Sequence, residues 1–175
     1  MLHALGELSS FRTQFSLQGP QVAIVGNGGG VIETVISDVP DHLLLQGKLQ
    51  AHSDAPFSIA FRRGQPFKDS PGLTWSVHGE HGEIRLTSIA ASLQANDADS
   101  QIELHDFATD TVELIQVERR LVNLPVPARN VVALYEAFAN NETDKYPDFQ
   151  HAMKRHRMIA EMFRSSERDV RVTYL

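Results

Sequence analysis

Arg12, Gln46, Lys48, Arg62 and His78 all stand on segments where apolar and polar residues alternate, and each falls on the polar side. Their types suit one kind of chemistry. A planar guanidinium at Arg62 would hold a ligand oxygen, Lys48 would add charge, and Gln46 and Arg12 would add hydrogen bonds. His78 would exchange a proton near neutral pH and is the candidate catalytic residue. The substrate would be a small molecule carrying acidic or carbonyl oxygens. The plainer alternative is a solvated face, which antiparallel sheets normally have. A one-residue slip in register would invert the whole set.

Other combinations are weaker. The chain has eight histidines, but His78 and His81 lie across a turn, and His151 and His156 point in different directions on a helix. No H-E-x-x-H pattern occurs, so no metal site is expected. His156 reads most simply as a core histidine. Asp41 beside His42, and Glu80 beside His81, are not read as acid/base pairs, because neighbours on a strand face opposite ways. GNGGG at 26–30 is read as a hairpin turn, since no helix and no G-K-[ST] follow it. With no cysteine, disulfides, thiolate metal sites and a cysteine nucleophile are excluded.

Strands must position these residues. Residues 9–17, 42–52 and 57–61 alternate as strands, and 22–36 reads as a hairpin. Leu73 to Leu86, LTWSVHGEHGEIRL, reads as a second hairpin, with Gly79 and Gly82 supplying positive φ at the reversal. Trp75, the only tryptophan, is expected on its inward face, buried where sheet meets helix. Residues 95–100 read as a turn, with strands at 102–104 and 112–117. After Pro125 the period changes. Val131, Leu134, Tyr135 and Phe138 share one helical face, and Phe149, Ala152, Met153, His156, Ile159, Ala160 and Phe163 form a second stripe. A short helix is expected at Leu2–Leu8, and residues 170–175 as an edge strand. The class is α+β: a mainly antiparallel, open-faced β-sheet with two long C-terminal helices and one short N-terminal helix on one face, in a single domain over 1–175.

Composition narrows the classes. The 175 residues, 42% hydrophobic and 22% charged, fit one soluble globular domain. A net charge of −6 argues against nucleic acid as partner. No run approaches the roughly 18 apolar residues of a membrane span, and the start lacks a signal-peptide pattern. A cytoplasmic location is expected.

The pattern W-S-V-H-G-E-H-G-E-I, then N-V-V-A-L-Y-E-A-F-A, then Y-P-D-F-Q-H-A-M-K-R-H-R-M-I-A-E-M-F-R-S-S, resembles the C-terminal domain of Gfo/Idh/MocA oxidoreductases. V-P-D-H-L-L-L-Q-G-K-L and F-R-R-G-Q-P-F are similar to the fungal branch of that family, which includes a member used for binding. The resemblance runs from about Leu2 to Ser166. It implies an upstream Rossmann domain that binds NAD(P), a lysine at its end, and an aspartate and a histidine on the first helix of the C-terminal domain. None of these maps onto this chain, so no family catalytic residue is carried over and no cofactor is expected. Numbering from Met1 favours a natural short protein over a domain cut from a longer one.

Three functions follow as expectations. The first is a stand-alone, cofactor-free enzyme of isomerase, dehydratase or cyclase type that uses the open face. The second is a non-catalytic ligand-binding or dimerisation module. The third is the substrate or oligomerisation domain of an NAD(P)-dependent oxidoreductase. A small-molecule substrate and a homo-oligomer through the sheet are the expected partners.

Overall fold

The computed structural model describes residues 2–51, 54–89, 100–117 and 120–174. Within them the expected strands form: β1 (Leu8–Ser16), β2 (Gln21–Val25), β3 (Val31–Ile36), β4 (His42–Leu49), β5 (Pro56–Arg62), β6 (Leu73–His78), β7 (Gly82–Ser88), β8 (Ser100–Asp106) and β9 (Thr111–Leu114). The helices are α1 (Leu2–Leu5), α2 (Val126–Ala139) and α3 (Phe149–Arg168), and the chain closes on β10 (Val172–Thr173). The α+β reading is correct. The turn read at 95–100 lies, up to residue 99, outside the described residues.

The strands make two four-stranded antiparallel sheets, β10-β1-β4-β5 and β6-β7-β8-β9, and a two-stranded hairpin, β2-β3. They do not make the one sheet expected. The two larger sheets belong to different compact units, residues 1–64 with 148–175 and residues 65–147. β5 and β6 are each an edge strand, joined by a segment that holds Pro66 and Pro71. Proline has no N–H to give a ladder.

In the first unit, β1 and β4 place alternate side chains inward. Leu8, Phe11, Leu45, Leu49 and Tyr174 form the buried core, flanked by Leu43, Phe57, Ile59, Met158 and Met162. The β-prone tail is an edge strand, as expected, with Phe11 opposite Val172. It also carries Tyr174 into the core, where the ring lies 5.8 Å from that of Phe11 and the hydroxyl donates to the Lys154 carbonyl at 2.9 Å.

Helix α3 packs on β1, but only at one end with the stripe its sequence suggests. Phe149, Met153, His156, Ile159 and Phe163 are exposed. Met158, Met162 and Ser165 face the sheet, and of the expected stripe Phe163 reaches it, its ring stacked on that of Phe15 at 4.6 Å. Polar anchors set this rotation. Ser165 Oγ accepts from the Thr13 N–H (2.9 Å) and donates to the Val170 carbonyl (2.6 Å), and Ser166 Oγ accepts from the Phe15 N–H (2.8 Å). These hydroxyls satisfy the edge of β1 beyond the two-residue β10, where an unpaired N–H would be costly. Farther up the helix, Arg155 and Lys154 pair with Glu7. Burial pushes the Glu7 carboxyl up, but these two cations outweigh it and leave it below its ordinary value. His156 is therefore an exposed histidine, not a core one.

In the second unit, Leu73, Trp75 and Val77 are half-buried and Thr74, Ser76 and His78 exposed. The alternation is as read, but Trp75 is not fully buried. Helix α2 does not bury the face predicted for it: Val131, Leu134, Tyr135 and Phe138 are 42–71% exposed, and only Ala137 is buried. The β6-β7 hairpin also differs in its glycines. Neither Gly79 nor Gly82 has positive φ. Gly82 is required by close approach, since a Cβ there would lie 2.5 Å from the His105 carbonyl oxygen.

Candidate functional site

The register of β1, β4 and β5 determines which polar residues meet. Arg12 lies opposite Gln46, and Gln46 opposite Ser58. Ser10, Lys48 and Pro56 make the row on one side, and Gln14, Leu44 and Ala60 the row on the other. Ser16, His42 and Arg62 make the end row. Four of the five predicted site residues, Arg12, Gln46, Lys48 and Arg62, therefore share the face of this sheet that points away from its core.

His78 stands on the other four-stranded sheet. It lies on β6 in the second unit, opposite Glu83, with its Nδ1 3.9 Å from Glu83 Oε2 and its ring 5.3 Å from that of Phe107. The expected shared face rested on one continuous sheet, whereas β5 and β6 belong to different sheets. Among the described residues no three histidine, aspartate or glutamate side chains are arranged to hold a metal ion.

Arg12 and Lys48 stand in ion pairs. Arg12 donates from Nε and Nη2 to Asp169, and Lys48 Nζ lies 3.3 Å from Asp54 Oδ2. Both pairs are exposed, where ion pairs are weak and readily exchanged for a ligand. Leu44, in the neighbouring row, is 52% exposed.

The structure adds a pair that sequence reasoning set aside. Asp41 and His42 are neighbours, yet Asp41 Oδ1 lies 2.8 Å from His42 Nδ1. The rule that strand neighbours diverge fails because Asp41 precedes β4, and its side chain is free to turn back. Its N–H donates to the Ser16 carbonyl at 3.0 Å. The carboxylate is 5% exposed and receives the N–H groups of Gln18 (2.8 Å) and Gly19 (2.7 Å). Arg63 Nη2 sits 3.8 Å from Oδ2 and donates to the Gly19 carbonyl at 2.8 Å. The signal was Pro40, which has no N–H to extend the ladder and stands just before the start of β4.

The Gln18 N–H, His42 and the Gly19 N–H hold the Asp41 carboxyl far below the usual carboxylate range, against the opposing effect of burial. A depressed folded-state value stabilises the fold above the unfolded-chain value, about 3.9, and the stabilisation is lost as pH falls through the folded value. Acid titration should therefore show stability constant near neutrality and declining below about pH 4. Asp41→Asn should flatten that decline, as read by denaturant midpoints across pH.

These features can be set beside known proteins. Residues 1–88 match the family described as Gal80p, C-terminal domain. The chain belongs to this family. The Gal80p-like assignment agrees with the Gfo/Idh/MocA resemblance read from sequence. The dehydrogenase aclE of Aspergillus oryzae is 25% identical over 170 residues, 95% of this chain and 43% of that protein. The galactose/lactose metabolism regulatory protein GAL80 of Kluyveromyces lactis is 32% identical over 72 residues, 41% of this chain and 16% of that protein. In three dimensions the chain is similar to the super-repressor mutant of Gal80p from Saccharomyces cerevisiae, with a TM-score of 0.75 at 19% identity, covering 95% of this chain and 44% of that one. The chain thus spans less than half the length of these relatives, and it is an oxidoreductase-like C-terminal domain. No helix among the described residues is long and apolar enough to cross a membrane.

Proposed function

We propose that this Gal80p-like domain is a small-molecule-binding module, acting through the open face of β10-β1-β4-β5 without a dinucleotide of its own. The observation that carries the reading is the register that brings Arg12, Gln46, Lys48 and Arg62 onto one face, while the opposite face is spent on the core. Guanidinium, ammonium and amide donors on a rigid sheet suit a ligand with several oxygens. The isomerase, dehydratase or cyclase chemistry expected from the sequence needs an acid/base group on this face. His78 lies on the other sheet, and among the described residues His42 is the histidine on this face.

The module should leave NAD(H) and NADP(H) unbound at millimolar concentration, because its sequence holds neither a phosphate-cradling loop nor the acidic ribose partner. Calorimetry checks this, and a micromolar affinity would overturn it. Alanine replacement of Arg62 and Lys48, one at a time, should leave folding unchanged and weaken binding of polar small molecules.

A second reading, self-association through the same face, is favoured by Leu44, a large exposed leucine in the row beside Arg12 and Gln46. Under it, Leu44→Glu should lower the sedimentation mass toward that of one chain.

A further inference from the structure

At the end row of the open face, three features coincide. His42 Nδ1 is committed to the buried Asp41 carboxylate. That carboxylate is itself fixed by the Gln18 and Gly19 N–H groups. Arg62 is the direct cross-strand neighbour of His42. The Gln18, Gly19 and Arg63 contacts explain Asp41 as a staple for the connection after β1. They do not explain why the staple also grips an imidazole that stays 37% exposed.

A carboxylate on Nδ1 holds the proton there, so the neutral ring presents Nε2 as an acceptor. Directly opposite residues on antiparallel strands have Cβ atoms about 4.5–5.5 Å apart. One small molecule therefore reaches both side chains. Nε2 accepts from a hydroxyl, and the guanidinium takes a planar carboxylate through paired N–H groups. A guanidinium has five N–H donors, so engagement with a protein partner leaves others for the ligand.

We propose that Asp41, His42 and Arg62 form a binding site for a 2-hydroxy carboxylate, with Arg62 holding the carboxylate, His42 Nε2 receiving the hydroxyl and Asp41 positioning the ring. The proposal rests on the open-face reading and names its ligand class and its selective residue. The selectivity is for the hydroxyl, since an analogue without one leaves Nε2 unmatched.

The test uses the full chain, labelled with ¹⁵N, and L-lactate, D-lactate and propionate as probes. At a pH where His42 is neutral, its imidazole nitrogens should report the Nδ1–H tautomer. One lactate enantiomer should shift the His42 ring signals saturably and bind about ten-fold more tightly than propionate, the worth of one good hydrogen bond. His42→Asn keeps a donor where Nδ1 stood and removes Nε2, so it should erase the preference for lactate and leave propionate binding unchanged. Arg62→Gln should weaken both acids.

A His42 in the Nε2–H tautomer, or equal binding of lactate and propionate, overturns the proposal. If lactate shifts the amides of Arg12, Gln46 and Lys48 but not His42, this site is wrong and the open-face reading stands. If it shifts no residue on the face, both fail.

Discussion

Phe11→Ala should destabilise the protein by about 3–5 kcal/mol, the cost of truncating a large core aromatic. Phe11 has 0% exposure and sits among Leu8, Leu45, Leu49 and Tyr174. Both strands that frame it are held in register, by Gly47 on β4 and Val172 on β10, so the site has little freedom to collapse around a cavity. Denaturant unfolding followed by circular dichroism reads the loss, and amide exchange on β1 and β4 should accelerate with it. Trp75→Ala should cost less than Phe11→Ala, because Trp75 is only half-buried. If the tryptophan variant were the more damaged of the two, the core would lie in the second unit.

Gly47→Ala should also be severe, although it adds a single methyl group. The new Cβ would lie 2.7 Å from the Ser10 carbonyl oxygen and 3.2 Å from Phe11 Cβ. The first neighbour is backbone within the β1-β4 ladder, so it moves only if the ladder moves. Overpacking of this kind costs about 1–3 kcal/mol. Gly30→Ala is the control: its Cβ meets nothing within 4 Å, and the change should stay within about 0.5 kcal/mol. Equal midpoints for the two variants would show that β1 and β4 do not approach as closely as described.

Both predictions rest on features that the sequence shows only in part. The period-two alternation of β1, β4 and β5 was enough to put Phe11, Leu45 and Ile59 on one face and Arg12, Gln46, Lys48 and Arg62 on the other, because strand geometry alone dictates that separation. The tail was legible from its β-prone residue types. Alternation does not say which strands share a sheet. That depended on long-range pairing, which made β5 an edge and left His78 on another sheet.

The rotation of α3 was likewise beyond the sequence. Hydrophobic periodicity favours the Phe149–Phe163 stripe, but the unpaired N–H groups of Thr13 and Phe15 needed acceptors, and Ser165 and Ser166 turned toward them. A few hydrogen bonds that cannot go unmade outweighed a graded apolar preference. Asp41 and His42 follow the same logic. Their residue types were visible from the start, yet their pairing required a carboxylate released from strand geometry by the preceding proline and drawn inward by the N–H groups of Gln18 and Gly19. The sequence by itself determined which side chains each strand exposes. Only the tertiary structure decided which of them stand together, because that rests on bonds between residues far apart in the chain.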